Sequence, residues 1–136
     1  MSYLIKEEIP SVTDYIGIRC QAGLSKKSEQ AARMGLPNSI YSVVVYSNEC
    51  AIGIGRVIGD GRCFFEITDI AVVPEHQNKG VGVMIMEALV QYLKNNAPPT
   101  AYVSLMADHG TPHFYERFGF TLSELPKSAG MYMRIS

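Results

Sequence analysis

The sequence predicts a mixed α+β fold: a central, mostly antiparallel, twisted sheet of six to seven strands with about four helices on its faces. Two patterns support this prediction. Three β-branched and aromatic segments between residues 40 and 73 are separated by short turns, as in an antiparallel meander. Segments of helical length then alternate with short apolar segments. A chain of 136 residues suits one domain, and we expect residues 1–136 to form it.

The first third of the chain is predicted to contain one strand and two helices. Residues 4–9 form the strand, which Pro10 stops, and Ser11 then caps a helix over residues 12–21. A shorter and more polar helix covers residues 26–34.

The predicted meander consists of strands over residues 40–46, 51–58 and 64–73, of which the third is the most apolar. A helix over residues 80–95 follows, with its polar side chains at helical spacing on one face: Glu87, Gln91 and Lys94. Such a helix packs against a sheet and exposes only a narrow stripe to water.

The last part of the chain is predicted to alternate between strand and helix. A strand covers residues 101–107, and a short helix covers residues 111–117 with Pro112 in its first turn. Residues 120–125 and 131–135 are predicted to form a closing pair of strands.

The composition indicates an intracellular protein without bulk affinity for nucleic acid. The net charge is −1, from 12 basic and 13 acidic side chains. The amino-terminal segment carries acids where a signal peptide has its apolar core, and no stretch approaches about 18 unbroken apolar residues. Cys20, Cys50 and Cys63 form no CxxC pair and are expected to be buried, inert thiols. We therefore expect a cytoplasmic protein, monomeric or homodimeric, that binds neither nucleic acid nor membranes.

The segment of residues 73–82, named here the phosphate cradle, is the most informative one. A buried strand ends there, a glycine-containing loop follows, and a helix begins, so free backbone N–H groups and the helix dipole favour an anion. Gly80 and Gly82 allow close approach, while Gln77 and Lys79 add donors, which suits a pyrophosphate. The two glycines alone also fit a simple turn. A Walker loop is absent, and Ile85 stands where a Rossmann loop has its third glycine.

Two motifs resemble the GNAT superfamily of acyl-CoA-dependent N-acyltransferases. Gln77-x-x-Gly80-x-Gly82 is similar to that family's [QR]-x-x-G-x-[GA] motif, which holds the coenzyme A pyrophosphate. The stretch from Phe114 to Phe120 resembles the family's F-Y-x-x-x-G-F signature, at the usual distance after the cradle. The resemblance covers essentially the whole chain and implies acetyl-CoA as cosubstrate. No metal is expected, because a metal site needs three or four ligands and the sequence offers no such set.

The resemblance also implies which residues contact the coenzyme. Asp108 and Thr111 stand where many members have Asn-x-x-Ala, so Asp108 is expected to cap the helix or bond pantetheine amides. The full implied set follows the strand, the cradle and the short helix: Ile70, Ala71, Val72, Gln77, Asn78, Lys79, Gly80, Val81, Gly82, Asp108, Thr111 and Tyr115.

Two catalytic residues are implied in the same way. Tyr115 resembles the family's general acid, although by spacing alone it reads as a core aromatic. Glu66 matches the general base of histone-acetylating members, and Asp69 is the alternative. Strand alternation places Glu66 and Asp69 on opposite faces, so only one of them can face the substrate unless a bulge intervenes.

The acceptor site implied by the resemblance draws on residues from several segments: Leu24, Tyr41, Arg56, Asp69 and Tyr132. His109 and His113 lie four apart, but no further ligand completes a metal site. The predicted function is acetyl transfer from acetyl-CoA to a primary amine of a small molecule, by direct attack in a ternary complex. A non-catalytic acyl-CoA-binding or sensing module on the same fold is the alternative.

Overall fold

The computed structural model describes residues 2–107, 111–124 and 126–135. The chain divides into two compact units, Met1–Leu105 and Met106–Ser136. Among these described residues, the first unit contains the sheet and three α-helices, and the second contains one short α-helix.

The sheet has five strands in the order in which they occur along the chain. The first three neighbouring pairs run antiparallel and the fourth pair, β4 with β5, is parallel, which confirms the mostly antiparallel prediction. The strands are β1 (Leu4–Glu7), β2 (Tyr41–Ser47), β3 (Cys50–Gly59), β4 (Phe64–Val72) and β5 (Tyr102–Ser104). The predicted meander is therefore present as β2, β3 and β4, each joined to the next by a tight turn.

Three helices accompany the sheet: α1 (Val12–Gln21), α2 (Glu29–Gly35) and α3 (Val81–Asn96). Helix α1 begins as predicted, because the Ser11 hydroxyl accepts the N–H of Asp14 at 3.1 Å. It ends at Gln21, and Gly23, just beyond the C-cap Ala22, has a φ of 81° that permits the paired carbonyl caps of a Schellman motif. That turn redirects the chain into the loop before α2.

Helix α3 lies against the centre of the sheet, where β3 carries two glycines. A Cβ built on Gly55 would lie 2.9 Å from Ile70 Cδ1 and closer still to Ile85, so the absence of a side chain allows the helix to approach. Ile85 and Leu89 are fully buried there, whereas the polar residues of the predicted stripe are exposed. Helix α1 contacts β3 and β4 on the opposite face.

The second unit contains α4 (Pro112–Glu116), in which Phe114 packs edge-to-face against Tyr115 and Phe118. The prediction of closing strands over residues 120–125 and 131–135 is wrong for the described residues, 120–124 and 131–135, which form no strand. Met131 and Tyr132 are 90% and 77% exposed, so these apolar side chains lack the half-buried surface that stabilises a strand. The sheet consequently has five strands rather than six to seven.

Two further predictions need correction. Strand β5 covers three residues, not residues 101–107, and β1 ends at Glu7 rather than at residue 9. The three cysteines are exposed, not buried, because Cys20 lies on the outer face of α1 while Cys50 and Cys63 lie beside the turns that flank β3. Within the described ranges, every helix is too short or too polar to cross a membrane.

Candidate active site

A β-bulge interrupts β4 at Asp69. Across from it on β3, Ile54 pairs with Ala71 and Arg56 pairs with Thr68, so two residues of β4 oppose the single residue between them. Asp69 itself has a φ of 60°, a left-handed conformation that is uncommon within a strand and costs free energy. Such a backbone persists only where surrounding contacts hold it.

The bulge places two carboxylates on one face of the sheet. Residues directly opposite each other share a face, so Glu66 faces the same side as Ile58. Ile58 and Arg56 are two residues apart on β3, so Glu66 also faces the same side as Arg56. Asp69 faces that side as well, because its Oδ2 accepts the Nε–H of Arg56 at 2.6 Å. Simple alternation, which would place Glu66 and Asp69 on opposite faces, does not hold here. The bulge that the prediction named as its exception is present, and its extra residue reverses the alternation.

Asp69 anchors a buried polar cluster, named here the Asp69 cluster, that also includes Tyr15, Arg19 and Arg56. Its carboxylate accepts the hydroxyl of Tyr15 at 3.0 Å, the Nε–H of Arg56 and an Nη1–H of Arg19. Asp69 and Arg19 are only 8% and 7% exposed. With three donors on its two oxygens, this carboxylate holds the bulge in place and has little capacity left to take a proton from an amine.

The charges of the cluster are fixed by its own contacts. Burial raises the pKa of Tyr15, and the neighbouring charge of Asp69 raises it further, so this phenol stays a neutral donor. Burial alone would lower the pKa of Arg56, but the hydrogen bond and charge of Asp69 outweigh that effect and raise it. Both guanidiniums also lie over the Tyr15 ring, at 5.7 and 5.8 Å from its centroid.

Beyond the bulge, one edge of β4 is open. Strand β5 pairs with β4 only as far as Glu66, which lies across from Ser104; among the described residues no strand pairs with β4 beyond that point on this side. The N–H of Val73 donates to β3, so by alternation the N–H groups of Ile70 and Val72 point away from β3 toward the open edge. Two such donors suit a carbonyl oxygen and the oxyanion derived from it.

Ala71 contributes differently from its two neighbours. It pairs with Ile54 of β3, so its backbone groups face into the sheet and not toward the open edge. Three residues on β4 were predicted to contact the coenzyme. Of these, only Ile70 and Val72 direct their backbone N–H groups toward the open edge.

The phosphate cradle follows immediately after β4. Asn78 and Gly80 both have left-handed backbone conformations, with φ of 61° and 86°, and Gly80 is the N-cap of α3 without a side-chain cap. The first helical bond runs from Met84 N to Gly80 O, so the N–H groups of Val81 and Gly82 precede it. Uncapped N–H groups at the start of a helix favour an anion, and α3 offers them at the start of its 16 residues.

Gln77 takes a position that its motif alone did not indicate. Its Nε2 donates to the carbonyl of Val72 at 2.9 Å and so ties the cradle to the end of β4. Lys79 is exposed at the same loop. This hydrogen bond fixes the cradle directly after the open edge of β4.

The residues predicted for the acceptor site do not all lie together. Arg56 and Asp69 are in direct contact, and Leu24 is half-buried in the loop that carries Ser25, whose carbonyl accepts Arg19 Nη2 at 2.6 Å. Tyr41 lies on the other face of the sheet, where its ring stacks on Tyr92 of α3 at 4.4 Å between centroids. Tyr41 and the Asp69 cluster therefore lie on opposite faces of the sheet.

The remaining predicted residues lie in the second unit or outside the described residues. Tyr115 is half-buried on α4, with its ring 5.0 Å from that of Phe114, and Thr111 is the N-cap of α4. Tyr132 is exposed, and Asp108 lies outside the described residues. The roles of these residues stay predictions.

Sequence reasoning missed Tyr15 and Arg19. They lie four residues apart on α1, hence on one face, beside the buried Ile18. A tyrosine and an arginine on the inward face of a helix were the available signal, because such side chains are buried only with partners.

Comparison with known proteins identifies the family. A model of the acetyltransferase (GNAT) domain matches residues 38–122, which is more than half of the chain. The chain belongs to the GNAT family. The match spans the meander, the cradle, α3 and the start of the second unit.

Two similar proteins are named as acetyltransferases, in agreement with this assignment. The structure of SA2161 from meticillin-resistant Staphylococcus aureus, described as a protein of unknown function and "Probable Acetyltransferase", is 42% identical with a TM-score of 0.93, covering 98% of this chain and 100% of that one. An uncharacterised ycf52-like N-acetyltransferase of Prochlorococcus marinus is 31% identical over 104 residues, 74% of this chain. The chain spans 57% of the length of that curated relative.

A more distant structure supports the fold alone. The GNAT family protein SP0256 from Streptococcus pneumoniae TIGR4 is 22% identical, with a TM-score of 0.78 and 98% coverage of both chains.

Proposed function

We propose that this GNAT protein transfers the acetyl group of acetyl-CoA to the primary amine of a small molecule. The observation that carries the proposal is the continuity of the open edge of β4 with the phosphate cradle. Ile70 and Val72 offer two backbone donors for a thioester carbonyl, and the N-terminus of α3 follows directly for a pyrophosphate. A thioester joined to a pyrophosphate is what acetyl-CoA presents.

Glu66 is the proposed general base. An alkylamine with a pKa near 10.4 is charged at pH 7, and deprotonating it costs about 4–5 kcal/mol. Glu66 is half-buried at the point where β4 and β5 separate, and its side-chain carboxylate makes no hydrogen bond or ion pair with any described residue. Its lone pairs therefore stay available, whereas those of Asp69 are engaged by three donors.

The proposed reaction forms a C–N bond and breaks the C–S bond of the thioester. Glu66 accepts a proton from the attacking amine, and the N–H groups of Ile70 and Val72 stabilise the oxyanion of the tetrahedral intermediate. Tyr115 donates a proton to the leaving thiolate, as its position in the family signature implies. The amine attacks directly while both substrates are bound.

The coenzyme assignment is tested by thermal stability. Coenzyme A and acetyl-CoA at about 100 times their Kd are expected to add about 2.7 kcal/mol of unfolding free energy, which raises Tm measurably. ATP and NAD lack the pantetheine and thioester that match the open edge of β4, so they are expected to leave Tm unchanged. Equal stabilisation by ATP would contradict the coenzyme assignment.

Turnover separates the enzyme from an acyl-CoA sensor. Arylalkylamines, polyamines, aminoglycosides and amino acids are each incubated with acetyl-CoA, and the free thiol is followed. Thiol release that depends on an amine is expected, and coenzyme binding without release under any amine would show a sensor.

A further inference from the structure

The Asp69 cluster contains more positive than negative charge. Two guanidiniums, Arg19 and Arg56, share the single carboxylate of Asp69, and Tyr15 contributes a neutral phenol. Buried charges in proteins are normally matched by partners, because an uncompensated one is costly to remove from water. Within the part of the chain that the structure describes, no second carboxylate contacts either guanidinium.

Both guanidiniums also keep unused donors. The buried Nε of Arg19 has no hydrogen-bond partner among the described residues. Arg56 uses Nε for Asp69 and Nη1 for the Ser39 hydroxyl at 3.2 Å, and the Tyr15 side chain is a further hydrogen-bond partner. A guanidinium has five N–H donors, so Arg56 keeps donors beyond these three contacts. The Arg56 side chain is the more accessible of the two, at 15% exposure against 9% for Arg19.

The accessible guanidinium lies close to the proposed reaction site. Arg56 pairs directly with Thr68, and Ile70, whose N–H points to the open edge of β4, is two residues further along that strand. Two residues of an extended strand span about 6–7 Å, which is an upper limit here because the bulge at Asp69 bends the strand, and paired residues lie about 5 Å apart. An acceptor whose amine is at the open edge can therefore reach Arg56 with a second group only a few bonds away.

We propose that the acceptor is an amine that also carries an anionic group, a carboxylate or a phosphate monoester, and that Arg56 binds this group. The anion completes the charge balance of the Asp69 cluster and accepts hydrogen bonds from the free edge of Arg56. The proposal rests on the proposed acetyltransferase function. It restricts the acceptor class, which the fold leaves open.

The test compares substrates that differ only in this charge. Glycine, β-alanine, 4-aminobutyrate and 6-aminohexanoate are each paired with their own carboxamides, and phosphoethanolamine is paired with ethanolamine. The acetylation rate is measured as kcat/KM for each member. We expect the anionic member of at least one pair to be favoured by about 10- to 100-fold, the range for hydrogen bonds to charged groups. The spacing series identifies the distance between amine and anion, and the two kinds of pair distinguish carboxylate from phosphate.

Variants assign the preference to Arg56. Arg56→Gln is expected to lower the preference, the ratio of kcat/KM for the anionic substrate to kcat/KM for its neutral partner, by about 10- to 100-fold. Arg56→Lys keeps the charge without the planar fork and should retain part of the preference. Arg33→Gln is the matched control, since Arg33 is an exposed cation on α2 whose loss changes the net charge equally.

Each result decides the proposal. Equal rates for the anionic and neutral members of every pair in the unmodified enzyme would overturn the proposal and leave acetyl transfer intact. An equal loss for both members in Arg56→Gln would show that Arg56 only supports the bulge, and would overturn it as well. If acetyl-CoA binds but no amine of either charge is acetylated, the proposed function itself fails.

Discussion

Replacing Asp69 by asparagine tests whether the Asp69 cluster holds the bulge in β4. Asparagine has the same shape and tolerates left-handed backbone conformations, so the φ of 60° at this position stays accessible. The substitution removes the only carboxylate that contacts Arg19 and Arg56 within the described residues. The NH2 group of asparagine is a donor, and it would face the donors of Tyr15, Arg19 and Arg56 without an acceptor between them.

The expected loss of stability is large. The Asp69 and Arg19 side chains are 4% and 9% exposed, so the substitution leaves buried positive charge without a partner. Removing one partner of a buried ion pair costs about 3–5 kcal/mol, against a total stability of about 5–15 kcal/mol for a domain. For a chain of this length we expect Tm to fall by about 10–20 °C.

Urea and thermal unfolding followed by circular dichroism measure this loss. Glu87→Gln makes the same chemical change at an exposed position on α3 and is expected to stay within about 0.5 kcal/mol of the parent. The double variant Arg19→Met, Asp69→Asn removes one cation together with the anion, and it should lose at least about 1 kcal/mol less than the sum of the single losses. A loss below about 1 kcal/mol for Asp69→Asn would refute the reasoning.

Three further predictions concern the coenzyme site and the titration of one tyrosine. Tyr115→Phe should lower kcat by about 10²–10⁴-fold with little change in the Kd for acetyl-CoA, and a parental kcat would show a packing role only. Gly82→Asp should fold normally but lose coenzyme binding, because a carboxylate at the start of α3 repels phosphate. If calorimetric titration shows that this variant binds acetyl-CoA with the parental affinity, the phosphate binds elsewhere. The hydrogen bond to Glu8 raises the pKa of Tyr46 to about 12, so its stabilising contribution is complete below about pH 10, where the phenol of the unfolded chain begins to ionise, and is lost as the pH rises toward 12. Chemical unfolding across this pH range should therefore show a steeper loss in the parent than in Tyr46→Phe, and equal slopes would contradict the assignment.

The elements of the first unit were predictable because their signals are local. The Ser11 cap, the turns of the meander and the polar stripe of α3 each depend on residues within a few positions of one another. The closing strands over residues 120–125 and 131–135 were wrongly predicted, because β-propensity describes side chains that fit a half-buried surface. Met131 and Tyr132 are apolar and aromatic, but they are exposed.

The candidate site was predictable only in part, for a related reason. The cradle is a local motif, so Gly80 was recognised as the start of a helix with free N–H groups. The bulge at Asp69 leaves no mark on the alternation of the strand and depends on Arg19, 50 residues earlier in the chain. Contacts of that kind become visible only when the fold has brought α1 onto the sheet.

Acetyl transfer itself is tested most directly by following a labelled acetyl group. Acetyl-CoA labelled in the acetyl group is incubated with the protein and an amine, and the label in the amine is compared with the free thiol released. We expect equal amounts of N-acetylated amine and coenzyme A thiol, with no label retained on the protein, since the proposed mechanism is direct attack by the amine. Label recovered as free acetate, or bound to the protein in place of the amine, would contradict direct transfer to an amine.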